Sequence, residues 1–156
     1  MAQKILVAFD ESENAMRAVE FVAQTFTGDK KVTLFSVIPD TAALCYMNSP
    51  SLTPYFMAQK GAFCTLEEKK KDLLNEAQQR ARKVLLDAGF KGQNIKAKVR
   101  TKKKGVARDI VSEAASGYDV IVMGRRGISG IKDFFIGSIS HKVLHLARSI
   151  SILVVD

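Results

Sequence analysis

Two hydrophobic patterns alternate along the chain. Short continuous runs rich in β-branched residues, at 4–9, Lys31–Ile38, 120–123 and 150–155, read as strands buried on both faces. Between them apolar residues recur at helical spacing. Behind Ser12 as N-cap stand Ala15, Val19, Val22 and Phe26; further on come Leu66, Leu73, Ala77, Ala81, Val84 and Ala88. A shorter set is Ala107, Ile110, Val111 and Ala114, and a last one is Ile139, Val143, Leu146 and Ala147. Residues 95–101 alternate apolar and basic, as a half-exposed edge strand does. The breaks fall at Thr27-Gly28-Asp29, Pro39, Gly89 and Gly105. Thr65-Leu66-Glu67-Glu68 has the form of a capping box and predicts the start of the long second helix.

The predicted order is β-α-β-α-β-α-β-α-β, an α/β fold with a parallel sheet and helices on both faces. Residues 1–156 are read as a single domain with an irregular insert at about 40–64. That insert carries Tyr46, Met47, Tyr55, Phe56, Met57 and Phe63, so it is expected to pack on a neighbour or a partner subunit. Doubly wound sheets bind ligands outside the carboxyl ends of strands where the winding reverses. The candidate ends are Phe9-Asp10, Val37-Ile38 and Met123-Gly124.

Composition changes this picture only in its partners. Hydrophobic content of 47% with 26% charged residues is an ordinary globular balance. No apolar run is long enough for a membrane span and no signal-peptide core opens the chain, so the expectation is a cytoplasmic protein without membrane contact. A formal charge of +8 and a pI near 9.6 point to a phosphorylated ligand or a polyanion. Lys69-Lys70-Lys71 and Lys102-Lys103-Lys104 read as solvated faces; without zinc-finger spacing or an aromatic RNP strand, nucleic acid is not the expected partner. Cys45 and Cys64 read as free thiols in a cytoplasmic chain, the alternative being a bridge that closes the insert.

The chemistry concentrates after residue 123. The apolar run stops at Gly124, glycines follow at 127, 130 and 137 among Arg125, Arg126 and Lys132, and Gly137-Ser138 opens the last helix. Glycines let backbone N–H groups come close, and a helix start offers unpaired donors and a positive dipole end. This reads as a phosphate cradle. It is not a P-loop, since Ser138 follows Gly137 where lysine is needed, and no GxGxxG is present. With Asp10-x-Ser12 after the first strand and Val-Met-Gly before the loop, Gly124-x2-Gly127-x9-Gly137-Ser138 resembles the nucleotide-binding subset of the universal stress protein family, over nearly the whole chain.

The resemblance implies a sheet in the order 3-2-1-4-5 and ATP, with Mg2+ as its companion, between the ends of strands 1 and 4. It puts Asp10 at the ribose, Ala8 and Phe9 beside the adenosine, and the Val37 backbone at the adenine edge. Met123 and Gly124 would line the ribose-phosphate path, and Arg126, Gly127, Gly137, Ser138, Ile139 and Ser140 the phosphates. It also implies a homodimer through the last strand at Ile152, Leu153, Val154 and Val155, and an unidentified protein partner. AMP or cyclic AMP in the same pocket is one alternative; a basic nucleic-acid- or protein-binding module without nucleotide is another. No nucleophile elbow or acidic metal pair accompanies the cradle, so no enzymatic activity beyond slow ATP hydrolysis is expected. His141 and His145 have helical metal spacing but lack a third ligand, and read as surface or dimer packing. Asp133 reads as loop rather than metal ligand, and Phe134 and Phe135 as packing.

Overall fold

The computed structural model describes residues 3–41, 45, 54–126 and 136–156. Strands β1 (Lys4–Ala8), β2 (Lys31–Ile38), β3 (Ile95–Thr101), β4 (Val120–Gly124) and β5 (Ser151–Val155) alternate with helices α1 (Glu13–Thr25), α2 (Pro54–Asp87), α3 (Val106–Ala114) and α4 (Ser138–Leu146). The strands form one parallel sheet in the order β3-β2-β1-β4-β5, as expected. No helix among the described residues is long and apolar enough to cross a membrane.

The period-two alternation of the central strands divides the core in two. Ile5 and Val7 of β1 join Val32, Leu34, Val120 and Val122 on one face, under Val19 and Val22 of α1 and Leu74, Ala81 and Leu85 of α2. Leu6 joins Phe35, Ile121 and Met123 on the other, under Ala107, Ile110 and Ala114 of α3 and Val143 of α4. Because both faces are covered, the runs in β1 and β4 are apolar at consecutive positions. At the far end Gly28 lies against the turn that follows α2, where a Cβ would collide with the Gly89 carbonyl oxygen.

Helix α2 departs from the sequence pattern in start and phase. It begins at Pro54 within the expected irregular insert, so Thr65 is an interior residue whose Oγ1 donates to the Gly61 carbonyl at 2.9 Å. Its inner stripe is Glu67, Leu74, Ala77, Gln78, Ala81 and Leu85, whereas Leu66, Leu73 and Ala88 are exposed. In α4, Ser140 and Val143 are buried; Ile139 and Leu146, expected inward, are exposed. Cys45 and Cys64 are not free thiols: they are joined in a disulfide with Cα atoms 5.8 Å apart, tying residue 45 to α2. Tyr46, Met47, Asp133, Phe134 and Phe135 lie outside the described residues.

Candidate functional site

A cavity of about 330 Å³ opens at the carboxyl ends of β1, β2 and β4. This is the point where the winding reverses across β1, and the volume is in the range of small-molecule sites. The β1 end supplies Ala8, Phe9 and Asp10; β2 supplies Phe35, Ser36, Val37 and Ile38. The β4 end supplies Met123, Gly124 and Arg126, and α4 supplies Ile139 and Ser140. These include the site residues expected from the sequence, with three exceptions. Gly137 and Ser138 are at the start of α4 but outside the cavity wall, and Gly127 lies outside the described residues.

The wall is fastened at each strand end. One oxygen of Asp10, Oδ1, accepts from the Ser12 backbone N–H at 2.8 Å, and Ser12 Oγ accepts from the Ala15 N–H at 3.1 Å. Asp10 thus supports the N-terminus of α1 through one oxygen, and its Oδ2 remains for the cavity. Gly124 packs against α1 so closely that a Cβ would lie 2.8 Å from the Asn14 carbonyl oxygen. The buried Ser140 hydroxyl donates to the Gly124 carbonyl at 2.9 Å, pinning α4 to the end of β4. The Gly137 N–H donates to the Arg125 carbonyl at 2.7 Å, holding the start of α4 to the end of β4.

The two arginines separate in role. The Arg125 guanidinium pairs with Asp156 at 2.8 Å, away from the cavity, whereas Arg126 lines it. Among the described residues the Nε of each is buried without a hydrogen-bond partner. An unpaired buried donor costs free energy, and at Arg126 an anion in the cavity would satisfy it.

Residues outside the sequence expectation complete the wall. From α2 come Glu67, Lys70, Lys71 and Leu74; from the turn after β3 comes Lys102; from α3 come Val106 and Ile110. The Lys102 backbone N–H donates to the Ile38 carbonyl at 2.7 Å. The next two N–H groups, of Lys103 and Lys104, donate to the buried Asp109 carboxylate at 2.7 and 3.2 Å. The Lys103 amide, then that of Lys104 and the nearby Arg100 and Lys103 charges, hold the Asp109 carboxyl below its ordinary pKa although burial acts in the opposite direction. On β2 the buried Ser36 hydroxyl accepts from Gln78 Nε2 at 3.2 Å. Lys70, Lys71 and Lys102 belong to the two lysine runs, where charge alone does not reveal which members face a cavity. Among the described residues no three His, Cys, Asp or Glu side chains gather as a metal set, and His141 and His145 are exposed.

The chain is 28% identical over 150 residues to universal stress protein YxiE of Bacillus subtilis (strain 168), covering 94% of this chain and 95% of that one. Its fold matches that of a universal stress protein solved in complex with cAMP, with a TM-score of 0.65, 18% identity and coverage of 99% and 97%. It also matches the universal stress protein from Archaeoglobus fulgidus in complex with dAMP, with a TM-score of 0.57, 16% identity and coverage of 100% and 98%. The family model for the universal stress proteins matches residues 1–156, and the chain belongs to that family.

Proposed function

We propose that this protein is a nucleotide-dependent regulatory module that binds ATP, accompanied by Mg2+, in the cavity at the ends of β1, β2 and β4. The observation that carries the reading is the unpaired buried Nε of Arg126 on the wall of that cavity, a donor without an acceptor. In this reading Asp10 Oδ2 accepts from the ribose hydroxyls, and Ala8 and Phe9 lie beside the nucleoside. The Val37 backbone meets the adenine edge. Met123 and Gly124 follow the ribose-phosphate path to Arg126, Gly127 and the start of α4 at Gly137, Ser138, Ile139 and Ser140. In this reading occupancy rather than turnover is the regulated variable. A cytoplasmic homodimer that signals to a protein partner through its nucleotide state completes the proposal.

A second reading is supported by the cavity wall itself. Gly137 and Ser138 stand outside it, which shortens the cradle and suits a single phosphate. The cAMP and dAMP complexes of fold relatives fit the same idea. The deciding measurement is to denature the purified protein and identify what it releases by mass spectrometry. Equimolar ATP or ADP supports the first reading, and AMP or cyclic AMP supports the second. An empty protein that also fails to bind added ATP with Mg2+ overturns both. Oligonucleotide binding that weakens steeply with salt would then favour a basic binding module.

A further inference from the structure

Glu67 is a buried acid that the fold does not employ. In the sequence it stands in a capping box, yet α2 begins at Pro54, so Glu67 lies in the helix interior and serves no helix start. Its side chain is 11% exposed and lines the cavity. Oε1 takes a long contact of 3.4 Å from Lys70 Nζ, and the Lys70 side chain is 63% exposed, so water competes for that ammonium. Among the described residues Oε2 accepts no hydrogen bond. A carboxylate only accepts, and this one, on the cavity wall, has a second oxygen with no protein donor among the described residues. Glu67 therefore presents an acceptor to whatever fills the cavity.

Resting on the nucleotide reading above, the position of Glu67 narrows what it meets. In that reading the phosphates run to Arg126 on the β4 side, and a carboxylate repels phosphate. Glu67 comes from α2, which packs on α1 and β3, and β1 separates β2 from β4 in the sheet. The same reading puts the base on this side, where Leu74 and Val37 line the cavity. The exocyclic amine of adenine is a donor; hypoxanthine carries a carbonyl oxygen at the same position, which a carboxylate rejects. We propose that Glu67 is a specificity-determining residue that accepts a hydrogen bond from the exocyclic amine of adenine.

The test compares ATP with inosine triphosphate by calorimetry on the wild type, Glu67→Ala and Glu67→Gln, with thermal unfolding to confirm that each variant folds. The wild type is expected to prefer ATP by roughly 10- to 100-fold, the range of one hydrogen bond to a charged group. Glu67→Ala brings the ratio close to unity through weaker ATP binding. Glu67→Gln, nearly isosteric and able to donate or accept, lowers the ratio by tightening inosine triphosphate, and it carries the test if the alanine variant does not fold. A wild-type ratio preserved in the folded variants overturns the assignment of Glu67, as does a wild type that binds both nucleotides equally; in either case the nucleotide site stands. A wild type that binds neither overturns the nucleotide reading together with this one.

Discussion

At Asp109 a buried carboxylate takes two backbone N–H groups and so holds the turn that carries Lys102 to the cavity. Because its folded pKa lies below the ordinary carboxylate value, its contribution to stability is present above that value, about 3.9, and is lost as pH falls below it. The wild type should thus lose denaturant resistance as pH falls below about 4, and Asp109→Asn should lose less over the same interval. Asp109→Ala, with both N–H partners abandoned, should cost roughly 1–3 kcal/mol at neutral pH in urea unfolding. An Asp109→Asn acid profile superimposable on the wild type would separate the carboxylate from the acid response. Arg126 carries a different expectation. Its guanidinium has a buried donor without a partner on the cavity wall, so Arg126→Ala should weaken nucleotide binding about tenfold or more in titration calorimetry. Unchanged affinity would move the phosphates away from β4.

Helix α2 diverges from its sequence pattern more than α4 does, in start as well as phase, and its divergence extends into the site. Strands β1, β2 and β4 were legible because burial on both faces leaves continuous apolar runs. The strand ends Phe9-Asp10, Val37-Ile38 and Met123-Gly124 followed from topology, whereas the nucleotide roles came only from the family resemblance. In α2 the paired leucines Leu73-Leu74 and Leu85-Leu86 offer two apolar phases, and only packing against β1 and β2 selects Leu74 and Leu85. Phase decides which polar residues follow inward, so Glu67 and Gln78 were illegible with it. The lysines of the wall were hidden for a related reason, since a charge run looks the same whether or not one member faces a cavity. The helix start was masked by a genuine capping-box pattern at Thr65, overridden by a longer helix. Within that extension the disulfide joins Cys64, three residues before Glu67, to Cys45 beyond the end of β2. Closing a loop across a sequence separation of 19 should contribute about 3 kcal/mol by restricting the unfolded chain. Urea unfolding with and without a dithiol reductant measures this, and Cys64→Ser should match the reduced wild type. Equal stability in both conditions would show that the bridge constrains neither state.

The whole molecule has two sheet edges of opposite character. On β3 the edge carries Lys96, Lys98 and Arg100, with Lys98 and Arg100 anchored on the buried Glu113 at 2.7 and 3.0 Å. Charge of this kind discourages pairing with another chain. The β5 edge has no such protection: Ile152, Leu153, Val154 and Val155 are apolar and half-buried, and the sheet offers β5 a neighbour on one side only. An uncharged edge strand calls for a cover, and a second copy pairing through the same strand is the symmetric solution. Sedimentation equilibrium should therefore give a species of twice 17.2 kDa for the wild type. Leu153→Lys should shift the population towards the monomer, since the aliphatic stem of lysine replaces part of the packing while its ammonium opposes a symmetric partner. Thermal unfolding of that variant at several concentrations adds a control. A dimer coupled to folding makes the wild-type midpoint rise with concentration, and the variant should lose that dependence. A wild type that remains monomeric at micromolar concentration would overturn a second copy as the cover of β5.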